Sequence, residues 1–97
     1  MLNWRTYEPV KAIRVMSSGA VWIKGSVQRV EVIEMMDERP VSLGWEDGWK
    51  WSHKGNTLTM GLNRLREKLR QRVYQALDAQ GNELSLEEIE NPNETEI

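Results

Sequence analysis

The segment WKWSHKGNTLTM, residues 49–60, constrains the fold more than any other part of the chain. Trp49 and Trp51 stand two apart with Lys50 between them. Strand side chains alternate faces with period two, so the two indoles share one face while Lys50 and Ser52 share the other. Lys54 and Gly55 form a two-residue hairpin turn that sets Leu58 and Met60 opposite the indoles, and Thr57 and Thr59 opposite Lys50 and Ser52. This is the pattern of a sheet buried on one side and wet on the other. The chain holds no Phe, so the bulky part of any core must come from Trp, Met, Leu, Ile and Val. Trp49 and Trp51 are therefore expected inside it.

The N-terminal half extends the sheet. Residues 10–16 and 20–27 are β-branched runs joined by SSGA, which reads as a first hairpin. Residues 28–36 alternate polar Arg29 and Glu31 with apolar Val30 and Val32, which reads as a third strand. DERP, with Pro40, interrupts the pattern; VSLGW adds a short edge strand, and the acids Glu46 and Asp47 with Gly48 turn the chain into the second hairpin. Residues 62–79 then place Leu62, Leu65, Leu69, Val73, Ala76 and Leu77 on one stripe at helical spacing, with Asn63 or Thr59 as cap and Gly81 as stop. The expected architecture is α+β: an antiparallel sheet of four to five strands containing two hairpins, one C-terminal amphipathic helix, and an acidic tail. Residues 1–81 make a single domain and residues 82–97 a flexible acidic tail in which Leu84, Leu86 and Ile89 can form at most one amphipathic turn.

Charge is divided along the chain. All 13 Lys and Arg lie in residues 1–72, and residues 73–97 carry acids only. The most basic stretch is RLREKLRQR, where Arg64, Arg66, Lys68, Arg70 and Arg72 face only Glu67. On a helix, Arg64, Lys68 and Arg72 line one flank of the leucine stripe and Arg66 and Arg70 the other. Helix stability does not call for this arrangement: like charges recur at i,i+4, and arginines occupy a first turn where the macrodipole favours acids. The charges either lie along the core edge and meet acids such as Glu31, Glu34 or the tail, or they receive an anionic partner. Tail residues 83–96 folded back on the basic flanks would mimic phosphate.

Chemistry is disfavoured by what the chain contains. His53, beside a Lys-Gly turn, is the one imidazole and there is no cysteine. No serine sits in a nucleophile elbow, no glycines build a phosphate loop, and Glu87, Glu88 and Glu90 are spaced as a solvated face. The expectation is a non-enzyme with no catalytic residue, no metal and no cofactor. The absence of cysteine and of any long apolar run places it in the cytoplasm, away from membranes.

Two functions from different classes remain. The first is a small regulatory or adaptor protein that works by protein–protein contact, with itself as a homodimer or with another chain. Its contact residues are Trp45, Arg64, Arg66, Lys68, Arg70 and Arg72, aided by adaptable methionines such as Met35 and Met36, which are otherwise core fillers. The alternative is binding of single-stranded nucleic acid through the same basic residues, with Trp22, Trp49 and Trp51 as stacking platforms. The inferred order of about four strands and then a helix resembles, in topology alone, the single-stranded-DNA-binding coactivator and whirly-type folds, which dimerise around such a unit. Against the alternative, Glu46 and Asp47 lie within the tryptophan cluster and the sequence pI is about 5.4.

Overall fold

In the computed structural model, which describes residues 4–90, the protein is an antiparallel six-stranded sheet with two short helices. After a 3-10 turn at Trp4–Tyr7 come β1 (Ala12–Val15), β2 (Val21–Met36), β3 (Arg39–His53) and β4 (Asn56–Gly61), followed by α1 (Leu62–Arg70). The chain returns as β5 (Tyr74–Leu77) and β6 (Glu83–Leu84) and ends in α2 (Leu86–Glu90). The sheet order is β4-β3-β2-β1-β5-β6. Each of the first four strands pairs with its sequence neighbour, and β5 crosses over to the free side of β1.

Both expected hairpins form. Ala12–Arg14 pair with Ile23–Val21, and Gly48–His53 pair with Gly61–Asn56 around Lys54 and Gly55, both at positive φ as a type I′ turn requires. Trp49 and Trp51 are 1% and 0% exposed and meet edge to face with ring centroids 6.3 Å apart. Met60, Leu65, Ile13, Val10, Tyr7, Ala76 and Ile89 complete the core around them.

Other expectations are corrected. The expected third strand is the far half of β2, and the expected edge strand is the start of β3, so residues 27–47 form one long β-ribbon around a turn at Asp37 and Glu38. Both turn residues take positive φ, 50° and 63°, without a glycine. Glu46, Asp47 and Gly48 lie inside β3 rather than in a loop. Gly48 stands opposite Gly61, and a Cβ at Gly48 would run into the Met60 carbonyl and the Gly61 Cα, so the two backbones approach too closely for a side chain.

The helix expected over 62–79 stops at Arg70. Its end is a Schellman closure in which Val73 N–H donates to Lys68 O at 3.0 Å and Arg72 N–H to Leu69 O at 3.2 Å. The left-handed residue is Arg72, φ 59°, where glycine is usual. Beyond it, Val73 and Tyr74 favour a strand, and β5 buries Ala76 and Leu77 against β1 rather than on a helical stripe. Gly81, at φ 81°, belongs to the turn between β5 and β6.

Residues 83–90 are part of the packed body. Ile89 is 2% exposed, Ser85 caps α2 through the Glu88 N–H at 3.2 Å, and Glu88 returns its carboxylate to the Ser85 N–H at 2.8 Å. Residues 91–97 of the expected tail lie outside the described residues.

Candidate functional site

The feature most unlike a solved packing problem is the ribbon. Beyond Lys24, β2 has a partner on one side only, and β3 before Gly48 likewise, so residues 27–47 project from the body as a two-stranded arm. Two register shifts shape it, one extra residue in β2 near Gly25 and Ser26 and one in β3 near Leu43 and Gly44, the latter at φ 113°. Bulges of this kind raise the local twist and re-aim a ribbon. At its root the arm is tied down by Glu46, whose carboxylate accepts from the Asn63 backbone N–H at 3.3 Å and side-chain Nδ2 at 2.8 Å. That carboxylate supplies the first-turn negative charge that α1 lacks, while Asn63 donates rather than caps.

The register assigns the arm's side chains to faces. Ile33, Met35, Pro40 and Trp45 share the face continuous with the core side of the sheet; Val30, Val32, Val41 and Leu43 share the other. Trp45 is 58% exposed and Met35 65%, and Val27, Ile33, Met36, Val41 and Leu43 are also exposed. Exposed apolar residues standing singly are ordinary, but here a run of them lies on one projecting element. The arm also carries six acids against Arg29 and Arg39, a net −4. One weak pair, Arg29 to Asp47 at 3.6 Å, lies between its strands.

The expected contact residues are thus divided. Trp45 sits on the arm, whereas Arg64, Arg66, Lys68 and Arg70 lie on α1 and Arg72 just past its end. Arg66 Nε donates to Glu90 Oε2 at 2.8 Å, and Tyr7 Oη donates to the same oxygen at 2.7 Å, so α2 is latched to α1 and to the N-terminal 3-10 turn. Partial burial pushes the Glu90 carboxyl up, but the two hydrogen bonds outweigh it and hold the group below its ordinary value. Burial first, and then the Glu90 carboxylate, push the Tyr7 phenol far above its usual range. Arg70 pairs weakly with Glu67 at 3.6 Å, and Arg64, Arg70 and Arg72 are exposed.

The stacking candidates do not meet that basic segment. Trp49 and Trp51 have no ring face open to a base, and Trp22 is half-buried with its ring 5.4 Å from that of His53. His53 Nδ1 is 2.9 Å from the Val21 carbonyl oxygen, a structural contact. Among the described residues no cluster of three or more His, Cys, Asp or Glu is placed to hold a metal ion, and no helix is long and apolar enough to cross a membrane.

The contacts of Lys24 and a groove are not legible in the sequence. Lys24 Nζ donates to the Tyr7 carbonyl at 2.9 Å and the Glu8 carbonyl at 3.3 Å and lies 5.3 Å from the Trp49 ring centroid. Desolvation, and then the nearby Lys11, bring its ammonium down to about 8 while Glu8 opposes them. The groove, about 420 Å³, opens between the end of α1, β5, β6 and the start of α2. Met16, Leu69, Tyr74 and Leu84 supply its apolar lining, and Arg70 and Arg72 stand at it with Glu83. Its parts are spread over sixteen to eighty-six in the numbering, so no local pattern announces it. No family model, no curated protein and no solved structure matches the chain.

Proposed function

We propose that this chain is a small non-catalytic regulatory or adaptor protein that acts by protein–protein contact through the β2–β3 arm. The observation that carries the reading is the arm itself: a two-stranded projection, paired on one side only, with exposed apolar residues on both faces. A ribbon of this length held out from its body contributes little to its own core, so its side chains have a use elsewhere. Trp45 is the natural anchor, because a large indole, 58% exposed on a projecting ribbon that also exposes Ile33, Leu43 and methionines, has the composition of an interface centre. Edge backbone on both strands adds a second mode of contact, strand addition.

The test is site-specific photocrosslinking in cells of the source organism, with the probe at Trp45 or, as control, at Thr57 on the exposed face of β4. The expected result is discrete adducts from position 45 that position 57 does not give. No adducts from position 45, or the same set from both, would overturn the reading. The nucleic-acid alternative rests on the basic residues of α1 alone. It requires oligonucleotide binding that weakens steeply with salt as counterions are released, and a flat response or no binding removes it.

A further inference from the structure

The arm and the groove lie at opposite ends of the molecule and are complementary in both charge and polarity. The register fixes the first point. Arg14 pairs with Val21 and Val15 with Tyr74, so the start of β2, the end of β1 and the start of β5 are together at one end. β2 runs from there through 16 residues to the tip, roughly 50 Å at ~3.3 Å per residue. The long dimension of the whole protein is 49 Å. Since α1 leaves Gly61, opposite Gly48, and runs back toward Tyr74, its C-terminal end and the groove sit at the end away from the tip. A tip therefore cannot reach the groove of its own chain.

The second point is chemical. The tip presents Met35, Met36 and Pro40, with the acids Asp37 and Glu38 in the exposed turn and one cation, Arg39, opposite Met36. The groove offers an apolar floor of Met16, Leu69, Tyr74 and Leu84, with Arg70 and Arg72 beside it. Over a longer range the arm carries a net −4, and residues 62–72 carry five cations against Glu67, a net +4. Unbranched methionine side chains adapt to irregular apolar lining. The volume of about 420 Å³ falls within the ~300–1,000 Å³ of clefts that enclose apolar ligands. One acid, Glu83, also borders the groove.

We infer that the partner of the arm is a second copy of this chain, and that the tip around Met35–Glu38 docks in the groove beside Arg70 and Arg72 of the next copy. This rests on the arm being a contact element and adds what it contacts. The tip of one copy meets the groove of another, so two copies lying antiparallel close both contacts as a two-fold dimer, and any other arrangement leaves a free tip and a free groove that extend assembly into a ring or a filament.

The experiment follows the mass of the full chain by sedimentation velocity and light scattering over a wide concentration range. Four samples are compared: wild type, the tip variant Asp37→Arg/Glu38→Arg, the groove variant Arg70→Glu/Arg72→Glu, and an equimolar mixture of the two variants. Circular dichroism checks that each remains folded. Wild type is expected to form dimers or larger assemblies as concentration rises, and each reversal to weaken association by at least roughly tenfold, because like charges meet across the contact. The mixture should reassemble, since every tip in it meets a groove of opposite sign.

A wild type that stays monomeric at all concentrations overturns the self-docking proposal and leaves the crosslinking test of the arm standing. Loss of assembly in the tip variant with none in the groove variant also overturns it, in favour of arm-to-arm pairing, and still supports the arm. Assembly unchanged in both variants overturns docking through the tip and groove and argues against the arm as the contact element.

Discussion

Substitution of Ile89 by Ala tests whether the acidic C-terminal segment is part of the fold. Ile89 is 2% exposed and packs in the cluster that holds Tyr7, Leu62 and Leu65. Removing three carbons from a packed isoleucine costs roughly 2–5 kcal/mol when the surroundings do not collapse. Since α2 is five residues long, it can peel away instead, and the loss is then limited to the free energy of its docking. An expected value of about 2–4 kcal/mol corresponds to a Tm lower by about 10–20 °C for a chain of this size. Tryptophan fluorescence in denaturant reads the effect directly, because the core indoles report global unfolding. The Glu90 acceptor of the Tyr7 hydroxyl adds ~1.5–3 kcal/mol as a charge-assisted hydrogen bond. If α2 undocks as a unit, Ile89→Ala/Glu90→Ala costs no more than the larger single change. A loss below ~0.5 kcal/mol for Ile89→Ala, typical of a surface site, would refute the reasoning and return residues 83–90 to a loosely held tail. Acid supplies a second readout. The Glu90 carboxyl is held below its ordinary value, so its contribution is complete above an unfolded pKa of about 4.3 and is lost as pH falls through the lower folded value. Wild type should thus lose stability below that pH more steeply than Glu90→Gln.

Three further outcomes follow from local geometry. Gly48→Ala should destabilise by several kcal/mol or prevent folding, because the added methyl meets β4 backbone rather than a movable side chain, and wild-type-like thermal melting would contradict the close approach of β3 and β4. Arg72→Gly should raise the free energy of unfolding by about 1 kcal/mol by relieving a left-handed non-glycine residue, and a decrease in stability would show that the arginine side chain matters more than its backbone. Between about pH 8 and 9.5 the folded Lys24 sheds its proton while the unfolded lysine keeps it, so stability should rise with pH by roughly 1–2 kcal/mol at most, and the rise should vanish in Lys24→Met. Above about pH 10 the unfolded Tyr7 ionises before the folded one, which turns the slope downward; a slope equal in wild type and Lys24→Met would refute the assignment to Lys24.

The sequence was informative where the constraint was local. Period-two spacing put Trp49 and Trp51 on one face, and a chain lacking Phe had nothing else of that size to bury. Lys54-Gly55 closed its hairpin by backbone chemistry alone, and the first three leucines of the stripe, Leu62, Leu65 and Leu69, did form a helix against the core. The arm is not legible as one element because its turn lacks the usual signal: Asp37 and Glu38 hold positive φ without a glycine, and Pro40 has the form of a breaker although it sits on a ribbon edge. The helix ends short of its apolar pattern for a similar reason. Arg72 closes it in a position that normally announces itself as glycine, and Val73, Ala76 and Leu77 fit a helical stripe and a buried strand equally well.

What the sequence alone determined is therefore the chemistry of each segment: a tryptophan core, a wet sheet face, a cationic helix and an acidic C-terminal region. The tertiary structure decided which of these segments meet. It joined two short strands into one arm, set β5 beside β1, and brought Glu90 to Arg66 and Tyr7 across separations of 24 and 83 residues. It also built the groove from four elements and placed it a molecule's length from the tip. The division has one physical cause. Turn geometry and side-chain periodicity act over a few bonds and can be read from neighbours, whereas strand pairing and helix docking are chosen by burying apolar area over the whole chain at once.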